Sequence, residues 1–141
     1  MRLIKILVLI CMVLLFGSSA AVAGDFDWIK GFNIQAQQDP SGFRVRLAAR
    51  FQIGNAQIDA VLSNVENPAD AYIALRLGEM SRQPVDHVIR QYKANKGKGW
   101  GAVAKSLGIK PGSKEFHALK QGQDLYADRS VKGKARGKGK K

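Results

Sequence analysis

Apolar residues recur at three- and four-residue steps through most of this chain, and that period predicts helices. In 25–38 (DFDWIKGFNIQAQQ), Phe26, Ile29, Phe32 and Ala36 share one face, with Gly31 as a weak point. Asp39-Pro40-Ser41-Gly42 is a turn signal. The stretch 43–51 (FRVRLAARF) fits two periods. Phe43, Val45 and Leu47 alternate like a strand, whereas Leu47, Ala48 and Phe51 fit a helix. No strand partner follows, so a helix is predicted. Gly54-Asn55 breaks the chain, and Ile58, Val61, Leu62 and Val65 form the next stripe.

Asn67 is a candidate N-cap for a helix with Pro68 in its first turn; Gly78 is its predicted end. That helix carries Ala71, Ile73, Ala74, Leu75 and Leu77. Pro84 opens another, with Val85, Val88, Ile89 and Tyr92. The run 95–99 (NKGKG) reads as a linker and 100–107 as a short helix closed by Gly108. In Pro111-Gly112-Ser113 the serine can cap 114–121. The expected fold is all-α, a compact array of six or seven short helices. Its expected core is Phe32, Leu47, Phe51, Ile58, Val61, Leu62, Ile73, Ala74, Leu77, Val88, Ile89, Trp100, Val103, Leu107, Phe116 and Leu119. Ala74-x-x-Leu77-Gly78 returns as Ala104-x-x-Leu107-Gly108, each followed by a polar turn and a second helix. With 43–65 as a degenerate first copy, this suggests three helical hairpins in tandem.

The start of the chain follows another pattern. Arg2 and Lys5 precede the unbroken apolar run 6–16, and 17–23 (GSSAAVA) supplies small residues ending in Ala21-Val22-Ala23. This is the plan of a secretory signal peptide. Its eleven apolar residues, at about 1.5 Å each, reach only about half of a ~30 Å hydrocarbon core. The expected organisation is a signal peptide at 1–23, a helical domain at 24–128 and a tail at 129–141. The mature protein is expected to be exported, to the periplasm or outside the cell. The single cysteine, Cys11, lies in the apolar run behind Ile10, so neither a disulfide nor a lipid anchor is expected.

Charge separates body from tail. The chain carries +12, and loss of Arg2 and Lys5 lowers this to +10. Residues 129–141 (RSVKGKARGKGKK) hold seven basic side chains and no acidic one, leaving +3 for 24–128. Such a tail has nothing to bury and is expected to be disordered and to bind anions. The candidate anion-binding residues are Lys132, Lys134, Arg136, Lys138, Lys140 and Lys141, joined by Lys96 and Lys98 of the linker. The candidate partners are lipopolysaccharide, acidic polysaccharide, anionic lipid or extracellular nucleic acid.

Catalytic motifs do not emerge. His87 and His117 lack metal-ligand spacing and read as surface residues, and no nucleophile elbow or P-loop is present. Gly97-x-Gly99-x-Gly101 lacks the preceding strand of a phosphate-binding loop; it reads as a flexible entry to a helix anchored by Trp100. No catalytic residue, metal or cofactor is expected, and the protein reads as a non-enzyme.

Two resemblances bear on function. Ala104, Gly108 and Ile109 resemble the first helix and turn of a helix-turn-helix, which would make 100–121 a nucleic-acid-binding segment. Pro111-Gly112 lengthens that turn, and Lys114 stands where the motif normally buries an aliphatic residue. More closely, NPADAY at 67–72, GKGWG at 97–101 and LGIKPGSKEFHALK at 107–120 resemble a group of small exported bacterial proteins of unknown function. That resemblance implies an exported helical domain and brings no activity, ligand or catalytic residue with it.

Cleavage is expected after Ala23, because Ala21 and Ala23 suit the small-residue pocket of the signal peptidase. N-terminal sequencing of the exported protein should begin at Gly24; an intact species retained in membranes would refute the assignment.

Overall fold

The computed structural model describes residues 25–127. The expected signal peptide and basic tail lie outside the described residues. Within them the chain forms seven helices and no strand: α1 (Trp28–Gln38), α2 (Pro40–Phe51), α3 (Asn55–Leu62), α4 (Pro68–Ser81), α5 (Val85–Ala94), α6 (Trp100–Ser106) and α7 (Lys114–Gln121). The all-α expectation holds.

The architecture turns on α4. Its Ala69, Ala71, Tyr72, Ile73, Ala74, Leu75 and Leu77 are buried on several faces rather than along one stripe. Helices α1, α3, α5 and α7 all pack against it, α5 and α1 most extensively. The three alanines leave room for backbones to come close. The remaining helices are one-sided and too short to persist in water without this support.

Local signals explain where the helices begin. Asp39 accepts a hydrogen bond from the Gly42 amide at 2.9 Å, with Pro40 in the first turn. The 39–42 cluster is therefore the first turn of α2, a correction to its reading as a separate turn. A Cβ at Gly42 would lie 1.9 Å from Asp39 Oδ2, so a larger residue there would push the capping carboxylate aside. The ambiguous 43–51 stretch is helical. Phe43 and Leu47, four apart, are buried, while Val45 is 67% exposed; a strand would have put all three on one face. Asn67 occupies the N-cap position of α4, but its side chain caps nothing. The Ala69 amide is instead satisfied by Asn33 Oδ1 of α1 at 2.8 Å.

The helix ends correct the repeat. Gly78 does not end α4, which runs on to Ser81. Arg82 takes the left-handed conformation, and the Gln83 amide donates to the Gly78 carbonyl at 3.2 Å. Gly108, at φ +80, does close α6: its amide reaches the Lys105 carbonyl at 3.0 Å and the Ile109 amide reaches that of Ala104 at 2.9 Å. Ala74, Leu77, Ala104 and Leu107 are all buried, but the two glycines are not equivalent. Nor does the last pair close like the first two: α2 packs on α3 and α4 on α5, whereas α6 packs mainly on α5 and α7 mainly on α4.

Most of the expected core is buried; Phe51, Leu62 and Trp100 are only partly so. Tyr72, 1% exposed, was not expected. It and Phe32 belong to a connected cluster of eight aromatic rings: the Phe32 ring centre lies 5.3 Å from those of Trp28, Tyr72 and Tyr126 and 5.8 Å from Phe43. Phe51, Phe26 and Phe116 extend the chain of contacts. The segment after α7 lies across this cluster, inserting Leu125. Its anchor is polar. The Tyr72 hydroxyl donates to Asp124 Oδ1 at 2.7 Å and accepts from the Asp124 amide at 3.1 Å. Arg50 binds Asp124 through Nε at 2.8 Å and Glu79 through its terminal nitrogens at 2.8 and 3.2 Å. Arg76 also reaches Glu79, at 2.7 Å.

Burial pushes the Tyr72 hydroxyl up to about 12. Asp124 sits below the usual carboxylate range: its burial opposes ionisation, but the hydrogen bonds from Tyr72 and Arg50 outweigh that. The two signs bracket a window. A lowered carboxylate adds stability that is lost as pH falls below about 4, and a raised phenol adds stability that is lost as pH rises from 10 towards 12. Urea unfolding across pH should therefore show stability falling at both ends. Tyr72→Phe should cost about 1 kcal/mol at neutral pH and shallow the alkaline fall; an unchanged alkaline limb would remove Tyr72 from that account.

Candidate functional site

The two segments NPADAY and GKGWG, far apart in sequence, meet at one cleft. The N-terminal end of α4 supplies Asn67 and Asp70, with Glu66 just before it. The C-terminal end of α5 supplies Tyr92 and Asn95, and the 96–99 linker with Trp100 closes the other wall. The cleft has a volume of about 240 Å³. Gly97 and Gly99, both at φ +83, turn the linker so that the chain enters α6 at the rim.

Aromatic stacking orders one wall. Tyr92 and Trp100 lie nearly parallel, ring centres 5.0 Å apart and planes 21° apart. Trp100 is thus a half-buried stacking partner of Tyr92 at the cleft, not the core anchor expected of it. The Tyr92 hydroxyl donates to Asp70 Oδ2 at 3.2 Å. Burial first, then the Asp70 charge, push that hydroxyl up to about 12. Lys96 Nζ pairs with Glu66 Oε1 at 2.5 Å, and that hydrogen bond and charge raise its pKa.

Lys96 and Lys98, expected together as anion-binding residues, differ. Lys96 already holds a carboxylate, whereas Lys98 is exposed with no ion-pair partner among the described residues. The other candidates, Lys132, Lys134, Arg136, Lys138, Lys140 and Lys141, lie outside the described residues. His87, half-buried on α5, and His117, exposed on α7, sit on different helices. Among the described residues no three His, Cys, Asp or Glu side chains gather as metal ligands, and no helix is long and apolar enough to cross a membrane.

Charge is also unevenly divided along the described chain. Residues 82–114 carry eight basic side chains against Asp86, a net of +7; the rest of 25–127 carries six against nine, a net of −3. All eight of these cations are on exposed residues, and α5 and α6 pack together. Only Lys96 among them has an ion pair within the described residues. The overall +3 of the body conceals this asymmetry, which a count along the sequence exposes. Glu66, Asp70 and Asn95 were missed because nothing in their local sequence marks them; they matter only where α4 and α5 bring them together. No protein-family model matches the chain, and no curated protein or solved structure matches it either.

Trp100→Ala should lower stability by about 1–3 kcal/mol, less than for a fully buried ring, because Trp100 is only partly buried. Thermal melting checks this, and Trp100→Phe should recover most of the loss by keeping the stack on Tyr92.

Proposed function

We propose that this chain is an exported, non-catalytic binding module that engages anionic polymers or surfaces through the 82–114 face and the basic tail at 129–141. The carrying observation is the concentration of eight exposed cations against Asp86 in that half, with Lys96 alone ion-paired among the described residues. Such a field attracts polyanions and releases their counterions, so binding weakens steeply with salt. The signal-like 1–23 segment supports a place outside the cytoplasm, where lipopolysaccharide, acidic polysaccharide, anionic lipid and extracellular nucleic acid are the available polyanions.

The helix-turn-helix alternative draws less support. Its second helix, α7, exposes Lys114, Glu115, His117, Ala118 and Gln121, with one cation offset by one carboxylate. Lys120 is held by Asp25 at 3.3 Å. A helix presented to phosphates needs an excess of positive charge.

Deleting 129–141 should leave the helical circular-dichroism signal and melting temperature nearly unchanged, while polyanion affinity and its salt slope fall. The binding that remains should be lost on adding Lys98→Glu, Lys105→Glu and Lys110→Glu. Wild-type binding that is indifferent to salt, or absent, would refute the proposal.

A further inference from the structure

Four oxygen acceptors in the cleft between α4, α5 and α6 have no protein donor among the described residues. Glu66 uses Oε1 for Lys96, and Asp70 uses Oδ2 for Tyr92, which leaves one oxygen of each carboxylate open. Asn67 and Asn95 turn their amide nitrogens to Asp70 at 3.4 Å and to the Gln91 carbonyl at 2.9 Å, leaving their side-chain carbonyls open. Beside these acceptors stand the Tyr92 and Trp100 rings. Lys96 lies at the rim, and Lys98 sits between the two glycines that line it.

We infer that the cleft is a sugar-binding subsite and that the anionic ligand of this protein is an acidic polysaccharide of the polyuronate type. The inference rests on the cationic-face reading above and deepens it. An anionic group is repelled from a pocket that carries Glu66 and Asp70. The edge that faces these carboxylates must be uncharged, rich in donors and flat enough to lie against an aromatic ring. A pyranose meets all three conditions: hydroxyls around its edge, C–H groups on its faces and no charge on the ring itself. Four open acceptors match a polyol better than a nucleobase, which offers one exocyclic amino group or none. A phospholipid brings a phosphate that the carboxylates repel and two acyl chains too long for a cleft of about 240 Å³. In a polyuronate every sugar carries a carboxylate, so the sugar in the cleft presents its hydroxyl edge to Glu66 and Asp70 and turns its own carboxylate out to Lys98 at the rim, while those of its neighbours reach the cations beyond.

The sign of one substitution separates this reading from plain charge neutralisation. Glu66 is exposed, and Glu66→Ala raises the net charge by one. On electrostatics alone, every polyanion then binds more tightly. The experiment measures affinities of the 24–141 chain, which contains every described core residue, for three probes. These are an oligogalacturonate, a deoxythymidine oligonucleotide of matched charge and phosphatidylglycerol vesicles. Glu66→Ala and Asn95→Ala should each weaken oligogalacturonate binding about tenfold. Binding to the other two should stay level or tighten. Tighter oligogalacturonate binding by Glu66→Ala would overturn the subsite and leave the cationic-face reading standing. Parallel weakening for the oligonucleotide would replace the sugar with a base. Failure of the wild-type chain to bind any of the three would overturn both readings.

Discussion

A hydroxyl in the middle of an apolar core must find a partner, and in this protein that requirement falls on Tyr72. Its ring is held on several sides by Trp28, Phe32 and Phe51, and an unsatisfied oxygen there would cost about 1–3 kcal/mol. Asp124 meets the need from a segment with no regular structure of its own. The carboxylate in turn calls for a cation, supplied by Arg50 of α2, and Arg50 is shared with Glu79 of α4. One buried hydroxyl thus joins the second helix, the central helix and the final segment. The same anchor keeps Leu125 and Tyr126 over the aromatic cluster.

Helices were legible because each buries a face whose period is local. Phe43 and Leu47, or Val88 and Ile89, carry their own signal. What escaped was set by distant neighbours. Gly78 has the composition of a helix end, yet α4 continues because Arg82 and Gln83 close its carbonyls further on. Asn67 has the composition of a cap, yet the amide it should satisfy is taken by Asn33 of another helix. Tyr72 carried no local signal of burial; it is enclosed by Trp28 and Phe32 of α1 and Phe51 of α2. Trp100 looked like an anchor because of its size, but its partner, Tyr92, stands at a rim.

The candidate site shows the same division. The lysines of 93–114, and the +7 of 82–114 beside the −3 of the rest, could be counted in sequence, but the packing of α5 against α6 and α4 could not. The cleft draws Glu66 and Asp70 from the acidic part of the chain and Lys96 from the basic 82–114 stretch. A meeting of this kind offers acceptors and cations within one ligand's reach, which neither stretch does alone.

The two ends of the described fold are sewn together. The Trp28 indole donates to the Leu119 carbonyl at 3.0 Å across 91 residues, and the Phe26 amide reaches the Lys120 carbonyl at 2.8 Å. Non-local closures of this length slow folding, since the chain must lose the entropy of a long loop before it gains the contact. During synthesis, the first helix therefore waits for the last one to emerge before its tryptophan has a partner.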